Sequence, residues 1–526
     1  MTTDATESSS VSRPDRPNRS WAALSGVVAV GAALGVSQLL AGLATTVPSL
    51  VVSVGGVVVD ITPLSIVRAS VEVFGTNDKP ALLIGIVVTA LLIGGLLGVL
   101  AASHRWIGAA GFIVFGILGA WAGSRDPLMS DIASVIAAVA ASGIGIAVLF
   151  WLLGASEAAE AVEDDTAYAV DRRRFLVGTA IVGLAAVVAA VAGRLLGARS
   201  IVEAARSGVQ LGAAETVTET VTAGLSTADY PGLSPLYTPN EVFYRIDTAL
   251  VTPQVDPASW SLRFSGMVDN PFELTFDELL AMPMVEQTVT LCCVSNKVGG
   301  RLVGNARWLG VPLQNLLAEA GVQEGATQVV GRSVDDFTVG FPTSVLDGGR
   351  PALVAVGMNG EPLPADHGFP ARLVVSGLYG YVSATKWLTE VEMTTLEAFD
   401  AYWIPRGWAK EGPVKTQSRI DTPRDNRSVA PGINAIAGVA WAQSRDIAMV
   451  EVQVDDLAWA EAELSERVSE HAWRQWVYPW DATPGTHRLR VRATDGTGET
   501  QTEVEQPVRP DGATGHHTIT VEVAAA

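Results

Sequence analysis

Cysteine is nearly absent from this 526-residue chain: there are two, side by side at Cys292 and Cys293. That excludes a disulfide-stapled scaffold. It also excludes a four-cysteine zinc or iron–sulfur site built by this chain alone. Histidine is scarce as well, with six residues. Only His104 falls in the apolar front of the chain, so those segments cannot by themselves hold a haem between two histidines. Charge is thin: 17% of residues are charged, against about 25% in a soluble globular protein. Part of the chain is therefore expected outside water. Positive charge is the scarcer sign, with Lys+Arg 35 against Asp+Glu 55 and a net charge of −20. That argues against nucleic acid, whose phosphates demand a basic face. The length suggests three or four folding units at roughly 150 residues each.

What is present at the front is long uncharged sequence. No charged residue occurs from Ser20 to Val59, and further uncharged runs cover Pro80–His104, Trp106–Ser124, Ile132–Ser156 and Phe175–Gly193. Each approaches the ~20 apolar residues that cross a bilayer as a helix. Spans are expected near 21–43, 81–102, 106–123, 132–153 and 175–195. The run 49–59, broken by Pro63, reads as a re-entrant or interfacial piece, with a sixth span as the alternative. With five spans, Arg13, Arg16, Arg19, Arg105 and Arg172, Arg173 and Arg174 fall on one side. The loops 60–79 and 124–131 are less basic, so the N-terminus is expected in the cytoplasm and everything after 196 outside it. The acidic stretch Glu157–Asp171 reads as a solvated loop. Arg172-Arg173-Arg174-Phe175-Leu176 is similar to the twin-arginine export signature and also reads as a plain positive-inside anchor.

Residues 197–236 read as a linker, with a short helix over Ile201–Leu211. Thr216, Thr218, Thr220 and Thr222 then alternate with Val and Glu before Pro231 and Pro235. From Leu236 the pattern is mixed α and β. Trp260–Val268 alternates like a strand. Phe276–Met282 reads as a helix capped by Thr275, and Val311–Ala320 as an amphipathic helix with Pro312 near its first turn. From Gly432 the chain reads as all-β. Strands are expected over Ile436–Ala442, Met449–Val454, Thr486–Ala493 and Thr518–Val523, which suggests an immunoglobulin-like sandwich. His516-His517 reads as a solvated strand end or a metal-binding pair.

The chemistry centres on Cys292-Cys293-Val294-Ser295-Asn296, which runs into Lys297-Val298-Gly299-Gly300-Arg301. A thiol beside loop amides and Lys297 is expected to have a lowered pKa and to serve as a nucleophile or soft-metal ligand. A buried structural cysteine and a vicinal disulfide are the competing readings.

From about Pro239 to Val523 the chain resembles the sulfite-oxidase superfamily of molybdopterin enzymes. Cys293-Val294-Ser295-Asn296 is similar to the family's molybdenum-ligand segment, with Ser295 in place of Gly. Ala306-Arg307-Trp308 followed by Gly310 is similar to its Ala-Arg-Trp segment. The longest match runs through Met358-Asn359-Gly360-Glu361-Pro362-Leu363-Pro364, Asp366-His367-Gly368-Phe369-Pro370-Ala371-Arg372 and Lys386-Trp387-Leu388.

The resemblance implies a molybdenum–molybdopterin cofactor with Cys293 as the metal ligand. Cys292 would then point to the opposite face of the strand. It implies cofactor contacts at His367, Arg372 and Lys386, and a cysteine loop fixed by Asn296. Arg245, Arg307 and Arg474 would shape or charge the substrate pocket. Two family features depart: the arginine five residues after the ligand is Val298 here, and the tyrosine before the Met-Asn-Gly segment is Val356. Losing a cation and a phenol weakens the case for a small dianion such as sulfite.

The expected architecture is multi-domain. A tail at 1–20 precedes an α-helical transmembrane bundle at 21–196 and the linker. An α+β molybdopterin domain at 237–430 and the all-β sandwich at 431–526, the family's dimerisation domain, follow. The expected reaction is two-electron oxygen-atom transfer on a small oxo-donor or oxo-acceptor, cycling between Mo(VI) and Mo(IV). Electrons would pass to or from a separate cytochrome or quinone-linked partner, with a homodimer through the C-terminal domain. A sulfoxide reductase of the periplasmic methionine-sulfoxide type and a non-catalytic surface binding module are the rival readings.

Overall fold

The computed structural model describes residues 18–44, 47–74, 77–127, 129–160, 165–198, 201–217 and 224–525. Arg13, Arg16, most of the 1–20 tail, Thr218, Thr220 and Thr222 lie outside them. The described residues form two compact units: one up to residue 200 together with Ala249–Val251, the other Ile201–Thr248 and Thr252–Ala526.

Five helices of the first unit are long and apolar enough to cross a membrane: Arg19–Leu43, Asp78–Ser103, Arg105–Gly123, Asp131–Glu157 and Arg172–Leu196. They are sorted inversely to a water-soluble bundle. Small residues such as Ala22, Ala29, Ala33 and Ala101 are buried, whereas Leu92, Ile132, Ile181 and Leu184 are exposed. The backbones touch at glycines: a Cβ on Gly26 would overlap the Gly94 carbonyl, and one on Gly42 would overlap that of Gly193. The stretch around 49–59 is a separate helix, Leu50–Ile61, of 12 residues. At 1.5 Å per residue that is about 18 Å, short of the ~30 Å hydrocarbon thickness. Pro63 ends it, and a second helix, Leu64–Phe74, follows.

The acidic stretch is helical where it is described, because its alanines favour helix. One helix runs on to Glu160 and the next starts at Asp165. Two contacts bring the basic residues to one end of this unit. Arg105 pairs with Glu157 at 2.7 Å, and Trp21 stacks on Phe175 with ring centroids 4.8 Å apart. Arg19, Arg105 and Arg172–Arg174 therefore share an end.

The second unit opens with two sheets. In one, the order is Thr216–Val217, Val285–Cys292, Val303–Pro312, Ala352–Met358 and Arg372–Val375, with Glu361–Pro362 beside Ala352–Met358. In the other it is Phe272–Thr275, Ser261–Gly266, Leu388–Thr394, Gln328–Ser333 and Thr338–Pro342. A core of Leu262, Phe264, Val289, Leu291, Trp308, Val354 and Leu373 joins them. The helix Phe276–Ala281 starts at a full capping box between Thr275 and Glu278. Leu313–Ala320 ends at Gly321 in the left-handed region. The expected linker is built into this unit from Ile201. Val202 of the helix Ile201–Gly208 is buried in the core, and Arg206 donates to the Pro362 carbonyl at 3.1 Å.

Two further sheets close the chain around their own core of Ile436, Val450, Trp476, Trp480, Leu489 and Val521. One holds Gln417–Thr422, Gly432–Trp441, Arg474–Ala482 and Glu463–Leu464. The other holds Arg427–Val429, His517–Val523, Gly485–Asp495, Ile447–Val454 and Ala460–Glu461. This part begins at Gln417, earlier than the expected Gly432. Gln417, Ser418 and Arg419 are polar yet buried, so they hide a strand from a hydropathy pattern. Their side chains are satisfied by the Ala513 carbonyl, Gln501 and Asp421. The strand Arg474–Ala482 was also unexpected, since Pro479 interrupts its pattern.

Candidate active site

The strand Val285–Cys292 delivers Cys292 into the core and leaves Cys293 at the start of a loop. Hydrogen bonds within the loop close it. The Cys293 N–H donates to the Leu302 carbonyl at 2.9 Å, and the Asn296 N–H to the Cys293 carbonyl at 2.9 Å. Asn296 Oδ1 accepts the Leu302 N–H at 2.8 Å. Both thiols are free, so the vicinal disulfide is not what the structure holds. The expected lowering of the thiol pKa does not occur either. Lys297 is exposed, and burial pushes the Cys293 thiol up while Ser295 pulls only partly back.

Cys293 lines a cavity of about 120 Å³, and His367, Arg372 and Lys386 line it too. His367 sits in the short turn Ala365–His367 and donates through Nε2 to the Asn240 carbonyl at 2.8 Å. Burial lowers its pKa to about 4, so the ring is neutral. Arg372 donates through Nη1 to the His367 carbonyl at 3.1 Å and lies 5.0 Å from the centre of the Trp308 ring. Burial pushes it down to about 10, which leaves it charged at neutral pH. Lys386 donates to the Asp366 carbonyl at 2.7 Å and pairs with the Asp247 carboxylate. Burial lowers it to about 8 against the pull of Asp247.

Arg245 is at the edge of this cluster. It bridges Asp247 at 2.7 Å and Asp366 at 2.8 Å, and 38% of its side chain is exposed. Asn359 holds the adjoining segment: its amide donates to Asn240 Oδ1 and the Thr238 carbonyl, and its Oδ1 accepts the Arg307 N–H.

Two expected pocket arginines are placed elsewhere. Arg307 lies on a strand between buried Ala306 and Trp308, so its side chain leaves by the other face. There it faces the Tyr237 ring and pairs with Glu286 at 3.5 Å. Arg474 caps main-chain carbonyls of Ile447 and Ser465. Neither lines the cavity. Val356 is buried in the core. His516 and His517 are not a metal pair: His516 meets the Gln501 carbonyl, and His517 accepts the Ile420 N–H.

The cavity also contains residues the sequence reading did not single out: Tyr244, Asp247, Asp335, Tyr381, Trp403 and Trp408. Asp335 stands in the turn between Gln328–Ser333 and Thr338–Pro342, with its pKa raised by burial. Among the described residues it has no cationic partner within salt-bridge distance. The aromatic run Tyr402-Trp403 with Trp408 was the one available signal for the cavity wall.

This donor set fits a molybdopterin. A soft sulfur, two charged nitrogen groups, a neutral imidazole and a carboxyl with no cationic partner among the described residues share one cavity. They match a thiolate-seeking metal, a phosphate and a ring with N–H donors.

Residues 249–403 match the family model described as an oxidoreductase molybdopterin binding domain. The mitochondrial sulfite oxidase of Rattus norvegicus is 30% identical over 321 residues, covering 52% of this chain and 58% of the enzyme. The chain thus spans a little over half the length of the sulfite oxidases it matches. An uncharacterised oxidoreductase of Bacillus subtilis, YuiH, is 34% identical over 159 residues, 30% of this chain and 76% of that protein. The crystal structure of the sulfane dehydrogenase SoxCD from Paracoccus pantotrophus aligns with a TM-score of 0.48 and 21% identity, over 61% of this chain and 98% of that one.

Proposed function

Because the chain belongs to the sulfite-oxidase superfamily of molybdopterin oxidoreductases, we propose that it is a membrane-anchored molybdoenzyme acting on a small oxo-donor or oxo-acceptor. The observation that carries this reading is the convergence of Cys293, His367, Arg372 and Lys386 on one cavity. When bound, the molybdenum–molybdopterin cofactor supplies two-electron oxygen-atom transfer. Cys293 gives the soft anionic donor. Its buried thiol is raised without a metal, and a coordinated metal deprotonates a thiol outright. Arg372 and Lys386 neutralise the cofactor's phosphate, and Asp335 accepts N–H groups of its ring.

The substrate reading follows from charge. Arg245 and Lys386 are each paired with a carboxylate, Arg307 and Arg474 lie outside the cavity, and position 298 is Val. The cavity is also lined by the indoles of Trp403 and Trp408. A neutral oxide with apolar substituents, such as a sulfoxide, suits that lining better than a small dianion.

Localisation follows from the helices. Arg19, Arg105 and Arg172–Arg174 share one end of the helical unit, which supports a cytoplasmic face there. An odd number of spans then carries the enzyme unit to the far side, with Arg172-Arg173 as an export signal for a folded, cofactor-loaded domain. The C-terminal sheets fit an immunoglobulin-like sandwich that serves for dimerisation. Electrons pass to a separate cytochrome or quinone-linked protein.

Elemental analysis of the detergent-purified full-length chain tests the reading. About one molybdenum per chain is expected. A metal-free protein from cells that load other molybdoenzymes overturns it.

A further inference from the structure

Several polar groups of the cavity wall are committed to partners within the protein. Arg245, Lys386, Asp247 and Asp366 form one ion network. Arg372 is held by the carbonyls of His367 and Leu373. Trp387 donates its indole N–H to the Ala365 carbonyl at 2.8 Å. Of the two phenols, Tyr381 donates to the Ala409 carbonyl at 2.7 Å.

Tyr244 differs. It lines the same cavity as Cys293, and its hydroxyl makes no hydrogen bond among the described residues. Its ring is set in place from behind. It stacks on Phe243 at 5.3 Å, and Phe243 is locked edge-on against Trp308 at 5.8 Å and His367 at 5.6 Å. The hydroxyl also has a fixed neighbour in Gly380, where a Cβ would stand 3.9 Å from it. A phenol is protonated at neutral pH, and one left unpartnered in a half-buried site is unfavourable until a ligand meets it.

We infer that the Tyr244 hydroxyl is the hydrogen-bond donor to the oxygen of the bound substrate, and that it, with the indoles of Trp403 and Trp408, selects a neutral oxide. The inference rests on the enzyme reading above. It invokes one hydrogen bond, with no bond broken and no proton transferred. The sulfoxide oxygen accepts from Tyr244, and its apolar substituents lie against Trp403 and Trp408. Substrate binding then needs no arginine beyond those already paired.

The test uses full-length protein in detergent: wild type, Tyr244→Phe and Tyr381→Phe. Each is assayed for molybdenum and reduced partly to give the Mo(V) paramagnetic signal. Dimethyl sulfoxide is then titrated and the change in that signal followed. The expected result is a wild-type response, a roughly tenfold weaker apparent affinity in Tyr244→Phe at unchanged molybdenum, and a wild-type response in Tyr381→Phe. Equal affinity of Tyr244→Phe and wild type overturns the inference and leaves the enzyme reading standing. So does a wild-type signal indifferent to the sulfoxide. Loss of molybdenum in Tyr244→Phe overturns it too, by making the residue a cofactor-holding one. A metal-free wild type overturns both readings together.

Discussion

A Cβ on Gly299 would overlap the imidazole of His517, so the loop that carries Cys293 is seated directly against the last strand of the chain. Gly299 has φ +71°, a conformation side chains rarely adopt. The next residue is tied down as well: Arg419 donates to the Gly300 carbonyl at 2.8 Å. Gly299→Ala therefore meets both strain and a clash. It should cost about 1–3 kcal/mol and lower the melting temperature and the retained molybdenum together. Adding His517→Ala removes the clash and should recover part of the loss, a coupling read by a double-mutant cycle. Strict additivity of the two substitutions would show that the contact does not hold the loop.

His517 also predicts how this seat responds to acid. Burial, with Arg419 nearby, lowers its pKa to about 4, against the opposing pull of Asp421 and Asp425. An unfolded histidine titrates near 6.5. Between those values the unfolded chain binds the extra proton. The stability contribution is thus complete above about pH 6.5 and falls as pH drops toward 4, by at most about 3 kcal/mol. His517→Asn keeps an acceptor for the Ile420 N–H but cannot titrate. Its melting temperature should fall less steeply than wild type over that window; parallel curves would refute the assignment.

The two neighbouring cysteines should behave oppositely. Cys293→Ser is expected to abolish molybdenum retention with little change in folding, because only the cavity-facing thiol is removed. Cys292 is packed in the core. Cys292→Ser should keep its metal and lose about 1–3 kcal/mol, the cost of moving a hydroxyl into an apolar core where the Cys293 carbonyl, 3.6 Å from the sulfur, is its one nearby acceptor among the described residues. Metal analysis and thermal melting on the same preparations separate them, and full molybdenum in Cys293→Ser would sink the ligand assignment.

Much of this was legible in the residues, and the failures have physical causes. Uncharged runs mark the five long helices because span length and hydropathy are both local properties. The order Cys293, His367, Arg372, Lys386 was readable from motifs, and the fold brings those four to one cavity. Sequence could not read where Arg307 and Arg474 point, since strand alternation and carbonyl capping decide that. It missed Asp335, a turn residue made unusual only by burial. It misjudged the Cys293 thiol because Lys297 is adjacent in sequence but turned to solvent. It missed the strand Gln417–Thr422 because buried polar side chains imitate a loop when their partners are distant in the chain.

The ion pair beneath the cavity offers another check. Asp247 is buried against Lys386 and Arg245. Lys386→Met leaves its carboxylate short of a partner and should cost about 3 kcal/mol. Asp247→Asn in the same chain should restore much of that stability while molybdenum retention stays low, because Lys386 is still missing from the cofactor's side. Recovery of both together would mean Lys386 serves the fold alone.

The two displaced arginines decide between the motif-based and the structural accounts of substrate binding. If Arg474 charged the pocket, Arg474→Met would weaken ligand binding at constant stability. The structure gives it other work: its guanidinium joins the carbonyls of Ile447 and Ser465 at the start of the strand Arg474–Ala482. Removing it leaves those carbonyls without their donor and should cost about 1–2 kcal/mol. Molybdenum content and the response of the Mo(V) signal to dimethyl sulfoxide should stay at wild-type values. Arg307→Met should likewise spare binding, since Arg307 faces Tyr237 and Glu286. A tenfold loss of affinity in either variant, at full molybdenum, would restore an arginine to the pocket and favour an anionic substrate.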